Sequence, residues 1–135
     1  MITIVDYGMS NLGSIRNMLK RLDVESEITS DKEKIKNATK LILPGVGAFD
    51  NGMENIKKLG FLPILNDLVQ NKKVPVLGIC LGMQLMTRSS EEGKLPGLGW
   101  IEADTKRFVF PPDTGLGFPV NLLRLYAIFL NNFPL

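Results

Sequence analysis

The sequence of 135 residues contains no histidine and a single cysteine, Cys80. Without histidine, this chain alone cannot supply the imidazole base of a catalytic triad or a histidine ligand for a metal ion. One cysteine also excludes an intramolecular disulfide framework and a metal site built from several thiolates. We therefore expect no metal and no cofactor, and the composition excludes a complete histidine-dependent active site within the chain.

The sequence also lacks a strong charge of either sign and a long apolar run. Sixteen Lys and Arg residues against 14 Asp and Glu residues give a formal net charge of +2. This balance gives no reason to expect nucleic acid or an anionic membrane as a partner. The longest apolar stretch, residues 120–130, is interrupted by Asn121 and Arg124 and is far shorter than the ~20 residues of a membrane-spanning helix. Since the N-terminus carries no basic leader, we predict a cytoplasmic protein.

Charged residues become scarce after residue 110. Residues 111–135 contain one aspartate, one arginine and four of the ten aromatic residues, and Pro111-Pro112 marks their start. We predict that residues 1–110 form the N-terminal part of a domain. Residues 111–135 then form an apolar tail, which either packs on that domain or does not belong to its fold.

Apolar runs and helical spacings alternate along residues 1–110. Strands are predicted at Ile2–Val5, 24–28, 40–43, 74–79 and within 100–110. Helices are predicted at 12–22, at 30–37 with a capping box of Ser30 and Glu33, at 62–69, and from Met83 onward. This alternation predicts βαβ crossovers, and strands that are apolar throughout indicate a sheet covered on both faces. The predicted fold class is α/β, with an open doubly wound parallel sheet.

The only cysteine lies in the segment Gly78-Ile79-Cys80-Leu81-Gly82, between a predicted strand and a predicted helix. A nucleophile flanked by two glycines in this way is the pattern of a nucleophile elbow, here with sulfur in place of the serine oxygen. The tight turn leaves no room for side chains at the two glycines, and it presents the thiol at a helix N-terminus. The pattern predicts Cys80 as a nucleophile and the backbone N–H of Leu81 as an oxyanion donor.

A second glycine-rich turn, Pro44-Gly45-Val46-Gly47, follows the preceding predicted strand. In a doubly wound sheet, ligands bind at the carboxyl ends of the strands. The peptides of Gly45, Val46 and Gly47 could therefore supply further oxyanion donors beside Cys80, although a plain strand-exit turn explains the Pro-Gly pair equally well. The two turns together indicate acyl-transfer chemistry more strongly than either does alone.

The elbow segment, continued through Met83 and Gln84, resembles that of class I (triad) glutamine amidotransferases. Three further segments resemble one branch of that family, the glutaminase subunits of imidazole glycerol phosphate synthase in histidine biosynthesis. They are Asp6-Tyr7-Gly8-Met9-Ser10-Asn11-Leu12, Leu41-Ile42-Leu43-Pro44-Gly45-Val46-Gly47-Ala48-Phe49 and Gly97-Leu98-Gly99-Trp100-Ile101. The resemblance runs from residue 1 to about residue 110.

The resemblance implies that Cys80 attacks the side-chain amide of glutamine, forms a glutamyl thioester and releases ammonia. Leu81 and the peptides of 45–47 would form the oxyanion hole, and Gln84 would help to hold the glutamine. The ammonia would pass to a (βα)8-barrel synthase or cyclase subunit, with which the chain would form a heterodimer. The residues implied at that interface are Tyr7, Gly8, Met9 and Asn11.

The resemblance stops after Phe110. The family continues with a proline-histidine-methionine segment and later with a histidine-proline-glutamate motif that carries the catalytic His and Glu; neither is present. We expect the domain to be incomplete at its C-terminus, and a reading-frame shift near Leu116 is our hypothesis for the cause. Because thiols are mostly protonated at neutral pH, and removal of triad members costs about 10⁴–10⁶ in kcat, we expect no useful glutaminase activity from this chain alone.

Three alternatives remain open at this point. The chain could be a non-catalytic module that docks on the synthase barrel through its first loop. It could serve a related amidotransferase for surface-polysaccharide sugar amidation, because the partner subunit chooses the acceptor of the ammonia. It could also be a cysteine-based redox protein, for which an elbow cysteine on a similar sheet is typical.

Overall fold

The computed structural model describes residues 1–107 in full and the backbone of residues 126–130. The predicted junction at Pro111-Pro112 and the proposed frame shift near Leu116 lie outside the described residues. The elements follow in chain order: β1 (Ile2–Val5), α1 (Leu12–Arg21), β2 (Ser26–Thr29), α2 (Lys32–Lys36), β3 (Leu41–Leu43), α3 (Phe49–Lys58), α4 (Leu62–Asn66), which continues as a π-helical turn (Asp67–Asn71), β4 (Val76–Gly78), α5 (Leu81–Leu85), β5 (Ser89–Ser90), β6 (Ala103–Arg107) and β7 (Tyr126–Leu130).

Strands β1 to β4 form a parallel sheet in the order β2-β1-β3-β4. The chain builds outward from β1, first to β2 on one side and then to β3 and β4 on the other. In such sheets the carboxyl ends of the strands on either side of this reversal frame the ligand-binding crevice. The loops that follow β1 and β3 lie at that point, and the predicted α/β fold with a parallel sheet is confirmed.

Helices cover both faces of this sheet, because apolar side chains alternate between the two faces along each strand. On one face, Ile4 and Ile42 pack with Leu19 of α1. On the other face, the apolar side chains of β1 and β3 join a larger core with α3, α4 and α5. Fully burying each of these aliphatic side chains contributes about 1.5–3 kcal/mol, so the larger core dominates the stability of the described domain.

A second, smaller sheet follows the elbow region, in the order β5-β6-β7. Strand β5 runs parallel to β6, and β7 pairs antiparallel with β6. The buried hydroxyl of Thr87 lies 3.1 Å from that of Thr105 in β6 and donates to the carbonyl of Gln84 at 2.7 Å. This contact fixes the second sheet against the C-terminal end of α5.

Several element boundaries differ from the sequence-based expectations, and three of them bear on the sheet and the elbow. The strand predicted at 24–28 begins at Ser26, because the Val24 N–H donates to the carbonyl of Leu19 and still belongs to the end of α1. The cap of α2 is Asp31, whose carboxylate accepts from two backbone amides of its first turn, and is not Ser30. The helix predicted from Met83 begins two residues earlier, directly after Cys80.

Candidate active site

Cys80 lies between the last residue of β4 and the first residue of α5, with φ +52° and ψ −116°. A left-handed backbone is uncommon for a residue with a Cβ and costs about 1–3 kcal/mol, so it persists only where the surrounding structure imposes it. The residue is exposed. The strand-turn-helix geometry matches the elbow that the sequence pattern predicted.

The two glycines of the elbow allow close packing on both sides of the turn. A Cβ on Gly78 would lie 2.6 Å from the Cα of Met83 in α5. A Cβ on Gly82 would overlap the carbonyl of Leu43 at the end of β3. Because these neighbours are backbone atoms, they cannot move aside as a flexible side chain can, and the crowding expected from the sequence is present.

The glycine-rich loop after β3 packs directly on the elbow. The Leu81 N–H donates to the carbonyl of Gly45 at 3.2 Å, and the Val46 N–H donates to the carbonyl of Met9. A Cβ on Gly45 would lie 2.8 Å from the Cβ of Leu81. Two of the predicted oxyanion donors, Leu81 and Val46, thus bind carbonyls of the chain itself, and an oxyanion would have to replace those acceptors.

Tyr7 lies beneath this loop and not on the surface. Its side chain is 0% exposed, and its hydroxyl donates to the carbonyl of Pro44. The ring follows β1 and fills the apolar core beneath the elbow, and the interface expected at the loop from Tyr7 to Asn11 stays a prediction. Its neighbours in the same loop, Gly8 and Asn11, are exposed, and Met9 is half-buried.

The pKa of the Tyr7 phenol depends on its burial and on the charge of Cys80. Burial raises the pKa of Tyr7 well above its ordinary value of 10.0, and the negative charge of an ionised Cys80 raises it further. The hydroxyl therefore stays protonated at neutral pH, so it can donate a hydrogen bond but cannot act as a base. Tyr7 was missed as a residue of this site because its position in the first loop suggested an interface.

The remaining predicted residues occupy different environments. Gln84, predicted to hold the substrate, lies in α5 and is only 6% exposed. Asn11 stands at the N-cap of α1 but makes no side-chain capping bond, and the Ser10 hydroxyl oxygen is buried without a hydrogen-bond partner. Thus the structure brings together Cys80, Leu81 and the loop after β3, and it encloses Gln84.

Helix α3 contributes two supporting side chains that the sequence did not single out. The Asn55 amide nitrogen donates to the carbonyl of Tyr7 at 3.1 Å. The Asp50 carboxylate accepts from the backbone amides of Lys94 and Leu95, at 2.9–3.0 Å, and these bonds hold its pKa below the usual range. The sequence signal that could have pointed to Asp50 is its place as an acidic residue in the first turn of a helix.

Two further features are absent from residues 1–107. Over residues 1–107, no group of three or more His, Cys, Asp and Glu side chains is placed to hold a metal ion. In the same part of the chain, no helix combines the length and the apolar character needed to cross a membrane.

Comparison with known proteins gives consistent matches. The profile of the family "Glutamine amidotransferase class-I" matches residues 3–108. The chain is 59% identical over 108 residues to the imidazole glycerol phosphate synthase subunit HisH 2 of Methanococcus maripaludis. The aligned segment makes up 80% of this chain and 54% of that protein. It is 46% identical over 116 residues to subunit HisH of Leptospira interrogans, which covers 86% of this chain and 57% of that protein. The chain thus spans about half the length of the curated relatives it matches.

The fold has its own match among solved structures. A crystal structure of a glutamine amidotransferase superposes with a TM-score of 0.69 at 20% identity, covering 96% of this chain and 71% of that one. At this identity the likeness shows the fold alone. The family profile, however, matches well over half of the chain, across both glycine-rich turns and Cys80. The chain therefore belongs to the class-I glutamine amidotransferase family.

Proposed function

We propose that this chain carries the nucleophile half of the glutaminase subunit of an imidazole glycerol phosphate synthase. Cys80 attacks the side-chain amide carbon of glutamine, the carbon–nitrogen bond breaks, and the amide leaves as ammonia once it has received a proton. Water then hydrolyses the thioester and returns the thiol. Leu81 and the peptides of 45–47 stabilise the oxyanion, and Gln84 contributes to the glutamine site.

The observation that carries this proposal is the strained, exposed elbow at Cys80 packed against the glycine-rich loop. A left-handed cysteine at the carboxyl end of a parallel strand has no purpose in packing, whereas an attacking thiol must stand clear of the sheet. The amide of Leu81 and the loop at Gly45 lie together beside it. Backbone donors held next to a nucleophile are what a tetrahedral oxyanion requires.

We further propose that this chain by itself has no useful glutaminase activity. The sequence contains no histidine. The buried phenol of Tyr7, whose pKa is raised by burial and by the charge of Cys80, keeps its proton at neutral pH. Without a base to take the thiol proton, and an acid to protonate the departing amide, turnover falls by about 10⁴–10⁶. The acid–base groups must therefore lie outside these 135 residues.

The partner and location are part of the same proposal. The relatives compared above are named as subunits of imidazole glycerol phosphate synthase, which supports histidine biosynthesis over sugar amidation. We assign the chain to the cytoplasm, docked on a (βα)8-barrel synthase subunit through Gly8, Met9 and Asn11. Direct transfer suits the chemistry, because free ammonia is mostly protonated near neutral pH and is then not a nucleophile.

A chimaera tests this function. The aligned 108 residues of the Methanococcus maripaludis relative are replaced by the corresponding residues of this chain, and glutamate release is measured with the barrel subunit present. We expect turnover from the chimaera, and a loss of about 10⁴-fold or more with Cys80→Ser. Equal activity of the chimaera and its Cys80→Ser variant would contradict the proposed role. The 135-residue chain alone serves as the inactive control.

A second candidate, a non-catalytic docking module, is favoured by one observation. The amides of Leu81 and Val46 are already bound to carbonyls of the chain, whereas Gly8 and Asn11 are exposed. Docking on the barrel should then survive Cys80→Ser but weaken on Asn11→Asp. An inactive chimaera that still binds the barrel would support this second function over the first.

A further inference from the structure

Tyr7 is bound at both ends, between the loop beside the elbow and helix α3. Its hydroxyl donates to the carbonyl of Pro44, and its own carbonyl accepts from the amide nitrogen of Asn55 at 3.1 Å. The side chain is 0% exposed and belongs to the larger of the two apolar cores. A side chain that is enclosed by packing and bound at both ends has little freedom to move, so it can hold another group in place.

The group that Tyr7 holds is the peptide between Pro44 and Gly45. The described residues contain no cis peptide bond, and in a planar trans peptide the C=O and the N–H point in opposite directions. Since the Pro44 carbonyl points to the buried hydroxyl of Tyr7, the Gly45 N–H points away from that hydroxyl. Turning the peptide over would leave the hydroxyl buried without a partner, which is unfavourable. The bond from Tyr7 therefore fixes the direction of the Gly45 N–H.

Gly45 carries the predicted oxyanion donor that is best placed beside the elbow. The amides of Leu81 and Val46 already donate to carbonyls of the chain. Among the described residues, no carbonyl accepts from the amides of Gly45 and Gly47. Of these two glycines, Gly45 is the one that packs on the elbow, because a Cβ on it would lie 2.8 Å from the Cβ of Leu81 and would overlap the Tyr7 hydroxyl. The loop is thus clamped at Gly45 between Tyr7 and the first turn of α5.

We propose that Tyr7 is a positioning residue for oxyanion binding, and that its hydroxyl directs the Gly45 N–H toward the oxyanion that forms at Cys80. This role rests on the proposed function, in which Cys80 attacks a carbonyl carbon. Negative charge then collects on the carbonyl oxygen, and a donor that already points at this oxygen stabilises the transition state without reorganising. The charge of an ionised Cys80 acts on the Tyr7 phenol, so the two groups lie within electrostatic range of each other.

Two reagents that react with the Cys80 thiolate separate this role from a purely structural one. With para-nitrophenyl acetate, the sulfur bonds to the carbonyl carbon through a tetrahedral oxyanion, the ester C–O bond breaks, and para-nitrophenolate leaves with the electron pair, so no acid is needed. With iodoacetamide, the sulfur displaces iodide directly, and no oxyanion forms. Both rates follow the thiolate fraction. Their ratio, measured on the 135-residue chain at several pH values, therefore reports how well the chain stabilises the oxyanion.

Tyr7→Phe should lower the ratio of the acylation rate to the alkylation rate by about tenfold or more, because a donor that is no longer held in place loses much of its effect. The alkylation rate itself should not change. Ile35→Val is the matched control, since it removes a methyl group from the same core on α2, and it should leave the ratio unchanged. If Tyr7→Phe does not fold, Asn55→Ala, which frees the Tyr7 carbonyl, should lower the ratio in its place.

An unchanged ratio in Tyr7→Phe, or an equal fall in Ile35→Val, would overturn the positioning role. A parallel loss of both rates in Tyr7→Phe would also overturn it, because the substitution would then have disturbed the surroundings of Cys80 in general. The chimaera reports the function separately. An active chimaera with a ratio that does not respond to Tyr7→Phe keeps the function and removes the positioning role. A ratio that falls in Tyr7→Phe with an inactive chimaera keeps the positioning role and removes the glutaminase function.

Discussion

The hydroxyl of Tyr7 donates a hydrogen bond to the backbone carbonyl of Pro44 across 37 positions of sequence. The bond joins the loop after β1 to the loop after β3, and it lies beneath the elbow that holds Cys80. A second bond, from the Val46 N–H to the carbonyl of Met9, joins the same two loops. The loop implied in partner docking and the loop implied in oxyanion binding are thus one connected unit.

Tyr7→Phe tests how much this buried bond contributes. The substitution keeps the ring in the core but leaves the Pro44 carbonyl without its donor, so we expect a loss of about 1–3 kcal/mol in the free energy of unfolding. Urea unfolding followed by circular dichroism measures it. Ser14→Ala, which removes an exposed hydroxyl on α1, should change stability by no more than about 0.5 kcal/mol. Equal effects of the two variants would show that the bond adds nothing to stability.

Gly82→Ala tests the close approach of the elbow to β3. The new methyl group would overlap the Leu43 carbonyl, and relieving that overlap requires a backbone shift that costs about 1–3 kcal/mol. The matched control is Gly13→Ala in α1, where the nearest atom, the side-chain oxygen of Asn11, is 3.9 Å from the new Cβ. That change should be neutral or should stabilise the chain by up to about 1 kcal/mol. A destabilised control with an unaffected Gly82→Ala would reverse the expected order.

Cys80→Gly should make the chain more stable while removing its nucleophile. Glycine adopts φ +52° without the steric cost that a Cβ imposes, so we expect a gain of about 1 kcal/mol. Cys80→Ala retains the Cβ and should show no such gain. Thermal unfolding of both variants measures the difference. If alanine stabilises the chain as much as glycine does, the backbone at this position carries no strain.

Asp50 gives stability a defined pH dependence. Its pKa lies below the ordinary value of 3.8 because its carboxylate accepts from the backbone amides of Leu95 and Lys94. A lowered folded pKa means that the unfolded chain binds the proton more readily. The contribution is therefore present above pH 3.8 and is lost as the pH falls below that value and through the folded pKa.

Asp50→Asn should remove this contribution. We expect the original chain and Asp50→Asn to differ in free energy of unfolding. The difference should have its full value at neutral pH and should disappear as the pH falls below 3.8. Glu25→Gln, at an exposed acid outside this contact, should leave the pH profile unchanged. A gap that stays constant from neutral to strongly acidic pH would show that the amide contacts do not depend on the charge.

The elbow could be predicted from the sequence because its signal is local. Two glycines flanking Cys80, a strand before and a helix after, are requirements of one short turn, and each can be recognised within seven residues. The burial of Tyr7 could not be predicted in this way. It depends on Pro44, which accepts from the Tyr7 hydroxyl, and on Asn55, which donates to the Tyr7 backbone carbonyl. Both residues are distant in sequence and reach Tyr7 only when β1, β3 and α3 have assembled.

The helix boundaries could also be predicted only in part from the sequence. The sequence predicted one helix over 62–69, whereas the Lys72 N–H donates to the carbonyl of Asp67 and the helix ends in a π-helical turn. Helix α3 was not predicted, although its buried residues Phe49, Met53 and Ile56 follow a helical spacing. The helix begins directly after the glycine-rich loop of 44–47, whose Pro and Gly residues favour a turn and mask the start of the helical spacing.

The outer edge of β4 pairs with no other strand among the described residues, and Leu77 on that strand is 56% exposed; this has a consequence for the lifetime of the chain in a cell. Unpaired strand edges and exposed leucines are features that chaperones and proteases bind, and small differences in stability change cellular abundance several-fold. The cellular amount of this chain would then depend on whether this edge is covered more than on the rate of synthesis.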